Sequence, residues 1–379
     1  MNILFIATVY DHLAVFHKPY INYFQEQGYT VHVAGSISMG RKDELEAIGA
    51  ICHDISFDKS VLSKRNLKAC KELNRLFNDI HYELIHVHTP IASFLTRFVL
   101  KNKKMQGPVV YTAHGFHFYN GAPLKNWLIY FSSEKIAAKW TDHLITINQE
   151  DYENSVRLGY SSKNVSLVHG VGVEFEKKEQ HEVFDLKKFL GVPNEAILIG
   201  YVAELNENKN HQFLLNNWKR IKNEFENAYL LIIGIGGLEN ELKDFVNREQ
   251  LRDVMFLGYR KDVPILLNQI DIVTLLSFRE GLPKSIMEAM SKKIPCVVSN
   301  TRGMRDLIKN EKNGYVVEQG DNEQLYNAFK QLLTSPALRS EMGQESYTMV
   351  QPYLMGNVMQ EYADIYKKLL SKTDFTTNR

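Results

Sequence analysis

The stretch SFREGLPKSIMEAM, residues 277–290, gathers groups that can hold both an anion and hydroxyls. Gly281 and Pro283 punctuate a loop after the apolar run Ile272–Leu276, and Ser285 is placed to cap a helix running on through Met290. Glu280 then stands in the loop and Glu288 one turn inside the helix. A helix N-terminus offers free N–H groups and roughly +0.5 charge, so residues 282–285 suit a diphosphate, and the carboxylates suit sugar or ribose hydroxyls. Two solvated glutamates flanking a core helix would read the same way. Upstream, VAELNENKN (202–210) also leaves an apolar run and enters a helical pattern. Lys209 can neutralise phosphate as a flexible point charge and Asn206 can donate hydrogen bonds to it, though an exposed lysine at a helix start fits equally. Gly234, Gly236 and Gly237 either let backbone approach a ligand or make a tight turn.

In the first half, TAHGFH (112–117) places His114 at the end of an apolar run and beside a glycine. An imidazole there can polarise or hydrogen-bond a reacting group near neutral pH, or simply be a satisfied structural histidine. His86 and His88 share one strand face by the two-residue period, which with His114 raises a metal reading. No Asp, Glu or Cys stands at matching spacing, so no metal is expected.

The elements that must position these groups are legible as alternating patterns. Ile3–Thr8, Thr30–Ala34, Leu84–Val87, Val109–Thr112, His143–Ile147 and Val165–Val168 are short apolar runs separated by amphipathic stretches. Runs apolar on both faces and joined by helices predict a parallel sheet covered on both sides. The pattern restarts at Ala196, with strands predicted at Ile197–Val202, Tyr229–Ile233, Val254–Leu257, Ile272–Leu276, Pro295–Ser299 and Gly314–Val317. Helical spacing covers Gln212–Phe225, Leu238–Glu249 and Ser285–Met290. The reading is an α/β chain of two Rossmann-like, doubly wound domains, 1–172 and 196–354, joined by a charged surface linker at 173–195 and facing a cleft. A C-terminal helix at about 355–379 is expected to pack back on the first domain, with the last ten residues frayed.

Composition bounds the function classes. A length of 379 residues suits two to three domains, and 45 Lys+Arg against 44 Asp+Glu leaves +1, so no global field advertises nucleic acid. The 44% hydrophobic and 23% charged fractions exclude a disordered, collagen-like or disulfide-scaffold chain. Cys52, Cys70 and Cys296 are odd in number and without a CxxC, which reads as a reducing, cytosolic setting. His12, His17 and Lys18 break the apolar start before it could span a bilayer, and no basic leader precedes it. Locally the charge is polarised: Lys59–Lys104 holds ten basic and three acidic residues. With the aromatic-apolar run Phe116–Phe131, including Trp127 and Tyr130, this fits docking on an anionic membrane surface, or solvated helix faces over a core helix.

Together these residues resemble glycosyltransferase family 4, the nucleotide-sugar-dependent retaining enzymes of the GT-B fold. The likeness is strongest at Glu280–Glu288, continues through Pro295-to-Val298 and Asn313-to-Val317, and includes Lys209 and the His114-Gly115 pair. The opening ATVYDHLAVFHKPY (7–20), IHVHTP (85–90) and YTAHGFHF (111–118) are similar to the bacterial transferases that build capsular and extracellular polysaccharide repeat units. The resemblance implies that Glu288 holds the ribose hydroxyls and Glu280 contacts the sugar. It implies that backbone around Gly281, Leu282, Pro283 and Lys284, with Lys209 and Asn206, holds the diphosphate, and that Tyr259 and Arg260 border the base. His114 would lie beside the anomeric centre, with Tyr10, His17 and His117 on the acceptor side. Such enzymes need no metal or other cofactor. Glu204 stands where the family usually has an arginine, and the bulky Val9–His12 replaces its glycine-rich loop.

The expected activity is therefore transfer of a sugar, of the UDP-N-acetylhexosamine type, to a polyprenyl-diphosphate-linked saccharide at the inner face of the cytoplasmic membrane. The rival readings are a UDP-sugar epimerase or hydrolase of the same architecture, and a non-catalytic nucleotide-sugar-binding subunit.

Overall fold

The computed structural model describes residues 1–58, 60, 63–103, 106–174 and 184–374. The chain divides into two units, one of residues 1–171 with 356–379 and one of residues 172–355. In the first unit a parallel sheet has strand order β3-β2-β1-β4-β5-β6-β7. Its strands are β1 Asn2–Val9, β2 Thr30–Ser36, β3 Ile51–Asp54, β4 Leu84–His88, β5 Val109–Ala113, β6 His143–Thr146 and β7 Val165–Leu167. Strands β4, β5 and β6 are buried at every position, which is why they read as unbroken apolar runs. The unforeseen strand is β3, because ICHD is exposed at both ends and carries two polar side chains at the sheet edge.

The second unit repeats the design with six parallel strands in the order β10-β9-β8-β11-β12-β13. These are β8 Ile197–Val202, β9 Ala228–Ile233, β10 Val254–Gly258, β11 Ile272–Leu275, β12 Cys296–Ser299 and β13 Gly314–Val317. One contiguous core spans both sheet faces, with Trp218, Leu214, Ile286 and Phe329 fully buried. In both sheets the order reverses beside the first strand of the unit, between β1 and β4 and between β8 and β11. The carboxyl ends at such a reversal are where open α/β sheets bind ligands.

Three expectations need correction. Residues 184–195 are not a bare linker: Leu186–Leu190 is a helix capped by Asp185, and Leu186 is fully buried in the core of the second unit. The charged stretch 175–183 lies outside the described residues. Of the basic residues in the polarised stretch, Arg97 is fully buried against Glu134 and so is no surface charge, while Lys59 and Lys104 lie outside the described residues. Phe116 and Phe118 likewise belong to the core.

The C-terminal helix Met355–Asp374 buries Val358, Tyr362 and Tyr366. The Tyr366 hydroxyl pairs with His86 Nδ1 at 2.8 Å, and Glu361 takes the His169 backbone N–H and ring, which ties residues after 355 to the first sheet. Residues 375–379, within the stretch expected to fray, lie outside the described residues. Among the described residues no helix is long and apolar enough to cross a membrane.

Candidate functional site

In the second unit the loops leaving β8 and β11 meet at the sheet reversal. Asn208 Nδ2 donates to the Arg279 carbonyl at 3.0 Å, the Phe278 N–H donates to the Asn208 carbonyl at 2.8 Å, and Asn210 Nδ2 donates to the Leu276 carbonyl at 3.2 Å. Asn210 adopts φ 51°, which an asparagine tolerates better than most side chains. Buried Tyr201 staples the two loops, its hydroxyl donating to the Lys209 carbonyl and accepting the Leu276 N–H at 2.9 Å. Across this joint Lys209 Nζ lies 2.5 Å from Glu280 Oε1, with side chains 22% and 11% exposed. A third loop braces Glu280 from behind, since Arg302 Nε donates to its carbonyl at 3.1 Å.

Glycine is required at two kinds of close approach here. A Cβ on Gly303, at φ 67°, would stand 2.0 Å from the Gly281 carbonyl oxygen. Cβ atoms on Gly234 and Gly236 would stand 1.9 Å and 2.3 Å from the carbonyls of Ala203 and Leu205. Those two glycines therefore seat the β9 loop against the β8 loop, while a Cβ on Gly237 would meet open space.

The helix Lys284–Ser291 begins at Pro283, and no side chain caps it. Ser285 thus sits inside the first turn instead of capping it, which leaves the opening N–H groups of the helix without a side-chain acceptor. Pro283 is buried and has no N–H to give, so the donors over this loop are the amides of its neighbours. Lys284 reaches Glu288 at 3.4 Å, and Leu282 packs on the core. Asn206 spends its side-chain oxygen capping the short turn Glu207–Lys209, accepting the Lys209 N–H at 3.1 Å. Tyr259 is 63% exposed, and Arg260 is paired with Asp262 through two contacts of 2.8 and 2.5 Å. Glu204 is exposed, and the partner of Lys209 is Glu280.

In the first unit the strand-end histidines converge. Strand β1 passes directly into the helix Tyr10–Phe16, which carries His12 and is followed by His17. His88 ends β4 and His114 follows β5, where Gly115 turns the chain at φ 133°. His12 Nε2 stands 3.3 Å and His88 Nδ1 3.2 Å from His114 Nε2, and the His17 and His88 rings lie 3.9 Å apart. Burial holds all four imidazoles below the ordinary histidine range, His12 at about 4, so they are neutral at pH 7. His86 lies against His88, ring centroids 4.1 Å apart, but both its nitrogens are engaged, Nε2 by Thr112 at 2.8 Å and Nδ1 by Tyr366, so the grouping suspected from its spacing is not the one the fold assembles.

A cavity of about 400 Å³ opens beside this cluster, lined by residues including Thr8, Asp11, His12, Thr89, His117 and Tyr130. His117 stacks on Tyr130 of the helical segment Trp127–Phe131 with ring centroids 4.5 Å apart, and the loop carrying His117 is anchored by buried Asp151, which accepts the Phe116 N–H at 3.0 Å. Of the three residues expected on the acceptor side, only His117 lines this cavity. Tyr10 is fully buried with its hydroxyl donated to Asp54 at 2.9 Å, and His17 is 1% exposed. Sequence reasoning missed His12, Tyr201, Asn208, Asn210 and Arg302. Only the order of the strands reveals that their loops are neighbours.

Two Rossmann-like units, each a parallel sheet with its own reversal of strand order, are the architecture of the GT-B glycosyltransferases. Residues 2–148 match the family described as glycosyl transferase 4-like, and residues 183–349 that described as glycosyl transferases group 1. The chain is 32% identical over 372 residues to EpsD of Bacillus subtilis (strain 168), assigned as a glycosyltransferase, covering 96% of each. It belongs to the glycosyltransferases of this family. It is also 31% identical over 287 residues, 74% of this chain and 72% of the relative, to an Escherichia coli UDP-Gal:α-D-GlcNAc-diphosphoundecaprenol α-1,3-galactosyltransferase. It is 22% identical over 368 residues to the capsular polysaccharide biosynthesis glycosyltransferase CapM of Staphylococcus aureus, covering 93% and 94% of the two chains. In fold it is similar to Anabaena HepE solved with UDP-glucose, with a TM-score of 0.77 at 19% identity, covering 97% of this chain and all of that one.

Proposed function

We propose that the protein is a retaining hexosyltransferase that moves a sugar from a UDP-sugar to a polyprenyl-diphosphate-linked saccharide in capsule or exopolysaccharide assembly. The observation that carries the reading is the Lys209–Glu280 pair at the start of the helix Lys284–Ser291. In this reading the diphosphate displaces Glu280 from Lys209 and lies over the amides of Gly281, Leu282 and Lys284. Glu280 then accepts hydrogen bonds from the sugar, and Glu288 from the ribose. As the bond from the anomeric carbon to the diphosphate breaks, Lys209 and the helix N-terminus stabilise the developing charge. The acceptor hydroxyl bonds the same face of that carbon and gives up its proton to the departing diphosphate. His114, as a neutral imidazole, serves as a hydrogen-bonding partner beside the reacting carbon and not as an acid. Tyr259, with 63% of its surface free, borders the base.

An N-acetylhexosamine is the expected sugar. Galactose is the second reading, favoured by the likeness to the Escherichia coli enzyme. Titrating the protein with UDP-, GDP- and ADP-sugars tests the donor class, because a ligand that binds only the native state raises the melting temperature by mass action. UDP-sugars are expected to do so, and Glu288→Ala to weaken them by about 10- to 100-fold, the loss of a hydrogen bond to a charged group. Stabilisation by another nucleotide class would overturn the assignment, and UDP-sugar turnover without acceptor would restore the epimerase or hydrolase reading.

The acceptor places the enzyme on the cytoplasmic face of a membrane as a peripheral protein. The supporting surface lies in the first unit, where Lys64, Arg65, Lys68, Lys71 and Arg75 are exposed on the helix Lys64–Asp79. Leu124, Leu128 and Ile129 are 75%, 66% and 53% exposed on the helical segment that follows the His117 loop. Neutralising Lys64, Arg65, Lys68 and Lys71 together should sharply reduce sedimentation with anionic vesicles, each charge contributing about 1 kcal/mol near the surface. Unchanged sedimentation would discard the docking surface.

A further inference from the structure

We propose that the first unit binds a divalent first-row transition-metal ion of the zinc class on the imidazoles of His12, His17, His88 and His114. One ring nitrogen from each lies within 4.8 Å of the other three. Two edges of the group, 3.3 Å between the Nε2 atoms of His12 and His114 and 3.2 Å from His88 Nδ1 to His114 Nε2, have the size a metal would impose. A tetrahedral ion with metal–nitrogen bonds of about 2.0–2.1 Å sets its ligands about 3.3–3.4 Å apart.

Hydrogen bonding alone accounts for the cluster poorly. A neutral imidazole nitrogen carries either one proton or one in-plane lone pair, yet His114 Nε2 faces two ring nitrogens at once. The Nε2 atoms of His17 and His88 are buried with no partner at all. Buried polar nitrogens are normally satisfied, and orphans of this kind call for an unseen group. A cation takes one lone pair from each ring, which removes the conflict at His114 Nε2 and gives His17 Nε2 a partner; His88, offering Nδ1 to the ion, keeps its proton on Nε2.

The donor set also selects the ion. Four imidazoles without a carboxylate or thiolate suit zinc, copper, nickel or cobalt, and do not suit magnesium or calcium, which demand oxygen. The ligands come from three chain segments fixed by the sheet: the helix and turn after β1, the end of β4, and the turn after β5. His17 and His88 close the inner side, 1% and 0% exposed, while His12 and His114 are only partly buried. His12 also lines the cavity, which supplies the entry path a metal site needs. The site shares His114 with the reaction proposed above, and its readouts are metal binding and melting temperature, not turnover.

The test uses the untagged full-length chain, stripped with a chelator and titrated with Co²⁺ as the probe. One equivalent should bind with the intense visible absorption of tetrahedral cobalt, raise the melting temperature, and be displaced by Zn²⁺. His12→Gln and His114→Gln, made separately, should each weaken binding by at least about 100-fold, since even partners behind metal ligands are worth 10- to 100-fold. The metal-free melting temperature of His12→Gln reports whether the variant still folds. His32→Gln alters a different histidine pair, the 2.8 Å contact of His32 with His53, and should leave Co²⁺ affinity unchanged. Absence of the tetrahedral spectrum, or cobalt affinity indifferent to His12→Gln and His114→Gln, overturns the site.

Discussion

Lys209→Met is expected to lower transfer turnover by about 10²- to 10³-fold, the cost of removing one preorganised group aimed at charge developing in the transition state. The lysine is fixed at three points, its carbonyl by Tyr201, its N–H by Asn206, and its Nζ by Glu280 at 2.5 Å. A purely structural ion pair would also suffer from this substitution, because the Glu280 side chain, 11% exposed, would lose its counter-charge. The double variant Lys209→Met/Glu280→Leu separates the two. If Lys209 only neutralises Glu280, the double variant regains melting temperature and turns over as fast as Glu280→Leu alone, whose own loss is that of the sugar contact. If Lys209 meets the diphosphate, the double variant regains melting temperature but is slower than Glu280→Leu alone by about the factor that Lys209→Met costs. Release of nucleoside diphosphate at saturating donor measures this, and a Lys209→Met turnover within about threefold of wild type would sink the role.

Much of the fold was legible because parallel strands covered on both faces are apolar throughout, and twelve such runs stand out in the sequence. Ile51–Asp54 escaped because an edge strand is only half covered and shows no such run. The helix Leu186–Leu190 escaped because one buried leucine anchors it amid charged neighbours. At the site, Glu280 and Lys209 were visible since each follows a strand and precedes a helix, and Glu288 since it lies one turn inside the helix that Glu280 precedes. What spacing along the chain cannot show is which loops are neighbours. Asn208, Asn210 and Arg302 become site residues only when β8 and β11 pair and the β12 loop folds over them. The same holds for His12 and His17, which meet His88 and His114 only because β1 lies beside β4 and β4 beside β5. Tyr10 was misplaced for the converse reason. A position on the acceptor side in the resemblance is turned inward here, where the strand enters its helix without a glycine loop and the phenol finds Asp54.

Glu134→Ala should destabilise the first unit by about 3–5 kcal/mol, the cost of leaving a buried charge without its partner. Arg97 is fully buried, with Nη2 2.9 Å from Glu134 Oε2 and 3.1 Å from Ser93 Oγ, Nη1 3.2 Å from Thr141 Oγ1, and the Tyr111 ring 4.2 Å from its guanidinium carbon. Tyr111 also donates its hydroxyl to Glu134 at 3.3 Å, so one carboxylate loss strands two groups. The charge pair joins the helix Pro90–Leu100 to the helix Ser132–Ala137, and Tyr111 adds β5 to the joint; the first of these helices starts beside Thr89 in the cavity wall, and β5 leads to His114. Because the chain has two units, a single unfolding free energy would mislead, and hydrogen exchange resolved along the chain is the proper readout. Protection should fall in β4, β5 and the helix Pro90–Leu100 and stay unchanged in the strands of the second unit, where Trp218 and its neighbours form a separate core. The variant Arg97→Met/Glu134→Leu removes both charges at similar volume and should recover most or all of the loss, since buried pairs are often no better than apolar replacements. If it recovers stability and acceptor-side activity together, the pair serves only to hold the elements. If stability returns without activity, the charges also set the position of the His114 loop.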